Sequence, residues 1–117
     1  KMKRKIICFD IDNVLCKTTK GNYLKSTPIK KNINLVNSLF ENGYYIKIFT
    51  ARYMGRNNDN RQKAIKQAKK ITKLQLKRWG LNYHKLILGK PSFDLYIDDK
   101  SIFYDKTWVT KLQKKLL

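Results

Sequence analysis

The sequence predicts a single α/β domain built on a parallel sheet, and three observations support this fold class. Its 117 residues are the size of one domain. Short apolar runs alternate along the chain with segments of helical periodicity. Strands that are separated by helices pair in parallel through right-handed crossovers, which predicts three layers, with the sheet between helices. We therefore expect residues 1–117 to form one domain.

Four short apolar runs predict the strands, at residues 6–9, 44–49, 85–88 and 95–97. The first is an unbroken apolar run of the kind that forms a buried strand. Residues 13–27, which follow it, are mostly polar and can make at most a hairpin-like flap.

Three segments predict helices, at residues 28–43, 60–79 and 108–117. Pro28 can begin the first helix and Gly43 can end it. The second helix carries an apolar stripe, fills much of its remaining surface with Lys and Arg, and ends at Gly80. The loop before it, residues 51–59, is rich in Arg and Asn.

Composition limits the class of protein. The sequence has no run of about 18 apolar residues and no signal-like cleavage site, so we expect a cytoplasmic protein that does not insert into a membrane. Its two cysteines, Cys8 and Cys16, are too few for a disulfide framework.

The net charge of +19 is the strongest compositional signal, because 27 Lys and Arg face 8 Asp and Glu. Such an excess suggests a nucleic-acid partner. The excess is mostly Lys, however, and it comes with many Asn and Ile, which an AT-rich genome produces without selection for binding. We favour this compositional interpretation, although the charge would still attract anionic substrates.

Four of the eight acidic residues follow predicted strands as two close pairs: Asp10 with Asp12, and Asp98 with Asp99. Ligands of open parallel sheets bind at the carboxyl ends of the strands. If the first and fourth strands are neighbours, four carboxylates crowd one crevice and need a cation to neutralise them. Ligation by oxygen without His or Cys suits Mg²⁺.

These residues resemble the sequence motifs of the haloacid dehalogenase superfamily. Residues 9–14, Phe-Asp-Ile-Asp-Asn-Val, look like its first motif, an Asp-x-Asp signature that ends an apolar strand. Residues 48–50 resemble the second motif, residues 89–91 with their lysine the third, and residues 96–99 the fourth. The resemblance implies a Rossmann-like core, here without the cap domain that many members carry.

The resemblance also implies a reaction, the hydrolysis of phosphomonoesters through an aspartyl-phosphate. Asp10 would be the nucleophile, and Asp12 would be the general acid and then the general base. Asp10, the backbone carbonyl of Asp12, and one or both of Asp98 and Asp99 would hold Mg²⁺.

The remaining motif residues would bind the substrate. Thr50 and Lys90 would bind the phosphoryl oxygens and offset the charge of the transition state. Ala51 and Arg52 follow Thr50 and would line the same site. Arg52 could reach a second anionic group, but an exposed loop arginine without such a role is an equal alternative. His84, the single histidine, is given no role.

The open cleft of a capless enzyme suits a phosphate that projects from a larger molecule, or a site completed by a second subunit in a homo-oligomer. The runs at residues 49–52 and 96–100 are similar to small capless phosphatases of capsule and surface-polysaccharide biosynthesis, which implies a phosphorylated sugar or sugar-linked phosphate. Three alternatives remain: a phosphotransferase that uses the same residues, a polynucleotide 3′-phosphatase, and a non-catalytic, basic nucleic-acid-binding module.

Overall fold

A computed structural model describes residues 5–117 of the chain. Its main sheet has three strands, β1 (Ile6–Phe9), β4 (Tyr45–Thr50) and β5 (Lys85–Leu88), in the order β1-β4-β5. Both pairings are parallel, with Phe9 opposite Ile48 and Thr50 opposite Leu88. This confirms the predicted parallel α/β class and three of the four predicted strands.

Two short strands, β2 (Cys16–Lys17) and β3 (Thr27–Pro28), pair antiparallel after β1. They confirm the hairpin-like flap that the sequence predicts in this stretch. A 3-10 turn, Tyr23–Lys25, lies between them and places Tyr23 near the loop that follows β4.

The three predicted helices are all present. They are α1 (Lys30–Glu41), α2 (Arg61–Arg78) and α3 (Trp108–Leu116). The Asn60 side chain caps α2 by accepting a hydrogen bond from the Lys63 amide. Gly43 and Gly80, the predicted stops, have φ values of +91° and +72°, which a glycine adopts without steric cost. None of the helices within residues 5–117 is both long and apolar enough to cross a membrane.

The core joins the sheet to the inner faces of the helices. Ile46 and Ile48 of β4 are fully buried and form one cluster with Val36 of α1, Leu76 of α2 and Leu112 of α3. Alternate residues of β4 are buried and half-buried, as expected for a central strand.

The predicted fourth strand is absent, which corrects the sequence analysis. Residues 95–97 form no ladder with any strand of the described chain, and Leu95 and Ile97 are 83% and 94% exposed. For the same reason β1 is not a buried strand: it pairs with β4 alone within residues 5–117, and Ile6 is 56% exposed. An apolar run becomes a buried strand only where a neighbour covers it.

Candidate active site

Parallel pairing brings three of the predicted site residues to one edge of the sheet. Asp10 follows β1, Thr50 ends β4, and Lys90 lies two residues after β5. The Lys90 amide donates a hydrogen bond of 3.1 Å to the Thr50 carbonyl, which extends the β4–β5 pairing past the end of β5. This is the carboxyl edge, where parallel sheets bind ligands.

Asp10 forms an ion pair with Lys90 at this edge, with 3.7 Å between Lys90 Nζ and Asp10 Oδ2. The other oxygen, Oδ1, accepts a hydrogen bond of 2.8 Å from the Ile11 amide. Desolvation raises the pKa of the Asp10 carboxyl above its ordinary value, although Lys90 and the Ile11 amide act in the opposite direction. Asp10 is therefore a partly desolvated carboxylate with one oxygen fixed and the other beside a cation.

Lys90 is buried, and aromatic rings surround its ammonium group. Its Nζ lies 5.6 Å from the ring centre of Phe49, 5.4 Å from that of Phe93 and 4.9 Å from that of Tyr96. Such contacts stabilise a cation that has lost part of its water. They also hold the ammonium group beside Asp10, so Lys90 is not one more solvated surface lysine.

Asp12 is held by the side chain of Arg52. Arg52 Nη2 donates to Asp12 Oδ1 at 3.0 Å, and Nε donates to Oδ2 at 3.1 Å. Thr18 Oγ1 donates to the same Oδ1 at 2.6 Å. Bidentate pairing fixes the plane of the carboxylate as well as its position.

Arg52 is buried, which excludes one of its two predicted alternatives, the exposed loop arginine. Its Nη1 donates to Gln75 Oε1 at 2.5 Å and to Thr72 Oγ1 at 3.4 Å, both on the inner face of α2. The Tyr23 ring centre lies 4.9 Å from the guanidinium carbon. Because protein groups occupy the guanidinium, Arg52 acts on the site by orienting Asp12 and is not placed to meet a substrate.

Thr50 and Ala51 directly precede Arg52 in the chain. Thr50 is fully buried, and its Oγ1 accepts a hydrogen bond of 3.2 Å from the Arg52 amide. Ala51 is half-buried, and its carbonyl accepts from the Met54 amide at 3.0 Å. In this arrangement both residues shape the turn that follows β4.

The second aspartate pair is only partly brought to the site. A cavity of about 650 Å³ lies beside β1 and is lined by Asp10, Lys90, Tyr96 and Asp98, among others, but not by Asp99. Asp98 Oδ1 accepts a hydrogen bond of 2.8 Å from the Lys100 amide, which lowers the pKa of the Asp98 carboxyl.

The described residues do not bring the four carboxylates together, and the smaller ligand set of Asp10, the Asp12 carbonyl and one of Asp98 and Asp99 stays a prediction. Within residues 5–117, no three His, Cys, Asp or Glu side chains are grouped closely enough to hold a metal ion. Asp10 instead pairs with Lys90, and Asp12 with Arg52. The predicted site of four carboxylates is therefore not assembled, because the exposed segment that carries Asp98 and Asp99 does not pair with β1.

Sequence reasoning missed the polar partners of Arg52. Neither Thr72 nor Gln75 of α2 was predicted to belong to the site. A signal was present: Gln75 directly precedes Leu76 on the apolar stripe of that helix, and a buried amide requires a partner.

Comparison with known proteins supports the fold and leaves the activity open. No protein-family model and no curated protein matches the sequence. A crystal structure of a target protein from Vibrio cholerae is 23% identical, covers 97% of this chain and 99% of its own, and superposes with a TM-score of 0.79. A chain from the structure of the Pnkp1/Rnl/Hen1 RNA repair complex is 15% identical over 97% of this chain and 31% of its own, with a TM-score of 0.51. The described chain thus shares its whole fold with a protein of nearly equal length.

Proposed function

We propose that the protein is a phosphomonoester hydrolase of the haloacid dehalogenase type, with Asp10 as its nucleophile. The observation that carries the proposal is the pair of Asp10 and Lys90, which faces a cavity at the carboxyl edge of the sheet. A desolvated carboxylate beside a cation is suited to attack a phosphorus atom whose oxygens that cation binds. The three-layer core of this superfamily is part of the same proposal.

The first step transfers the phosphoryl group to Asp10. Lys90 Nζ binds a phosphoryl oxygen, and Asp10 Oδ2 attacks phosphorus while the bond to the leaving oxygen breaks. The leaving oxygen takes a proton from Asp12. Oδ2 is the Asp12 oxygen with room for that proton, because it accepts one hydrogen bond, from Arg52 Nε, whereas Oδ1 accepts from both Arg52 and Thr18.

The second step returns the enzyme to its starting state. Water attacks phosphorus and gives a proton to Asp12 as the bond to Asp10 breaks, which releases inorganic phosphate. Magnesium remains a prediction from the aspartate chemistry, and neither step depends on it here.

We infer a phosphorylated sugar or sugar-linked phosphate as the substrate, from the likeness of the motif runs to capless polysaccharide phosphatases. The cavity is compatible with a polyol, because Asp98, Lys100 and Ser101 supply polar groups along one wall while β1 supplies an apolar wall.

A release assay tests the proposed activity. Purified protein with p-nitrophenyl phosphate and Mg²⁺ should release phosphate, and Asp10→Asn should lower kcat by roughly three orders of magnitude or more, because the nucleophile is lost. Glu41→Gln makes the same charge change at an exposed position of α1 and should retain full activity. Equal rates for the two variants would show that Asp10 is not the nucleophile.

The second candidate function is a polynucleotide 3′-phosphatase. The fold likeness to a chain of an RNA repair complex favours it, as does the large excess of basic residues. A panel of sugar phosphates and 3′-phosphorylated oligonucleotides separates the two candidates. Turnover of the oligonucleotides alone would replace the sugar assignment, whereas no turnover of either class would favour a non-catalytic binding module.

A further inference from the structure

Helix α2 carries six lysines on one exposed stripe. Plotted at about 100° per residue, they fall within an arc of about 120° that faces away from the buried side of the helix. The stripe consists of Lys63, Lys66, Lys69, Lys70, Lys73 and Lys77, all of them exposed. The opposite side of the helix packs on the core through Ala68 and Leu76.

No acidic residue offsets this lysine stripe. The sequence has none between Asp59 and Asp94, and no salt bridge within residues 5–117 involves a residue of α2. Lysines three and four positions apart, such as Lys66 with Lys69 and Lys70, are neighbours on the helix surface and repel one another. A polyanion laid along the stripe would relieve this repulsion.

The spacing of the charges is comparable with that of the phosphates in a nucleic-acid backbone. From Lys63 to Lys77 the helix rises about 21 Å. The six charges span five intervals, so they lie about 4.2 Å apart on average along the helix axis, comparable with the 3.4 Å between the charges of one DNA strand along the duplex axis. The stripe contains no aromatic residue on which an unpaired base could stack, which favours contact with phosphates and a duplex over a single strand.

We propose that the lysine stripe of α2 binds the phosphate backbone of duplex nucleic acid without reading its sequence. Binding is electrostatic and weakens steeply as salt rises. The proposal does not depend on phosphatase activity, since none of the six lysines belongs to the candidate active site.

The test compares two variants of equal net charge. One carries Lys66→Gln, Lys69→Gln, Lys70→Gln and Lys73→Gln in the stripe. The matched control carries four exposed lysines changed to glutamine elsewhere: Lys20, Lys25, Lys30 and Lys106. Glutamine is a good helix former and removes the repulsion, so α2 should persist, which far-UV circular dichroism checks.

Fluorescence anisotropy with a labelled duplex DNA of about 20 base pairs, from about 50 to 200 mM NaCl, measures binding. The stripe variant should lose at least about tenfold in affinity at 100 mM salt. Its slope of log K against log salt should fall by about 3.6, at roughly 0.9 for each of the four lost contacts. The control should lose less than about threefold. Equal losses in the two variants would overturn the proposal, because net charge alone would then explain binding. No wild-type binding at 50 mM salt would overturn it too, as would binding of phosphatidylglycerol vesicles in place of the duplex.

Discussion

Replacement of the buried Arg52 by methionine should lower the free energy of unfolding by about 3 kcal/mol. The guanidinium donates to both oxygens of Asp12 and to Gln75, so its removal leaves a carboxylate and a buried amide without these partners. Breaking a buried ion pair from one side costs about 3 to 5 kcal/mol. The Asp12 side chain is 19% exposed, and water can therefore compensate part of the loss, which favours the lower end of that range.

Two further variants separate charge from geometry. Arg52→Lys keeps the charge but loses the bidentate fork, so we expect about half of the methionine loss. A double variant with Asp12→Asn closes a mutant cycle, in which the coupling between the two side chains should lie between about 1 and 3 kcal/mol.

Urea unfolding followed by circular dichroism at 222 nm measures all five proteins: the wild type, the single variants Arg52→Met, Arg52→Lys and Asp12→Asn, and the double variant. Equal m-values establish that the free energies are comparable. A loss below about 1 kcal/mol for the methionine variant, or strict additivity in the cycle, would refute the buried network as a source of stability.

Three other predictions follow from the site and the sheet. In the proposed mechanism Asp10 reacts in its ionised form, and desolvation raises its pKa, so the acid limb of kcat/KM should lie above the ordinary aspartate value of about 4; a limb at or below that pH contradicts the assignment. Because the pKa of Asp10 is raised in the folded state, the protonated carboxyl favours folding, and this stabilisation is lost as pH rises through that pKa. Asp10→Asn should therefore not lower the melting temperature at pH 8. If the magnesium prediction holds, EDTA should abolish phosphate release. Calorimetry should then find weaker Mg²⁺ binding in Asp98→Asn than in Asp99→Asn, because Asp98 lines the cavity with Asp10 and Asp99 does not. Equal binding in the two variants would argue against a role for that cavity wall. Leu95→Ser should change the unfolding free energy by less than about 0.5 kcal/mol, since Leu95 is exposed. As a control, Ile48→Ala should lower that free energy by about 2 to 5 kcal/mol, because Ile48 is fully buried. A large loss for Leu95→Ser would indicate that residues 95–97 are packed in solution.

The sequence predicted those elements whose signals are local. The apolar stripe of α2 and the end of this helix at Gly80 were predictable, because helix periodicity and a left-handed C-terminal glycine depend only on residues that are close together in sequence. Residues 95–97 have the same apolar character as β5 but do not form a strand. A strand depends on a partner that is distant in sequence, and composition alone does not supply one.

The residues of the candidate site also divide into those whose positions were predictable and those whose positions were not. Asp10, Thr50 and Lys90 were predictable as neighbours, because each follows or ends a strand and parallel strands share their carboxyl edge. The burial of Arg52 was not predicted: Gln75 gives a signal on the inner face of α2, but the sequence does not show that this face meets Arg52, which lies more than twenty residues earlier. The reaction and the substrate stay predictions, since fold likeness alone does not fix either.

Within residues 5–117, β1 has one unpaired side, and this has a consequence for how copies of the protein behave together. A strand with one free edge is a template for another chain, and the exposed Ile6 and Cys8 would form the start of such a contact. Mutual repulsion between molecules of charge +19 opposes it, but that repulsion reaches only about 3 Å in 1 M salt, against about 30 Å at 0.01 M. Strong salt is the usual means of stripping polyanions from a basic protein, and here it would also remove the barrier to aggregation through this edge.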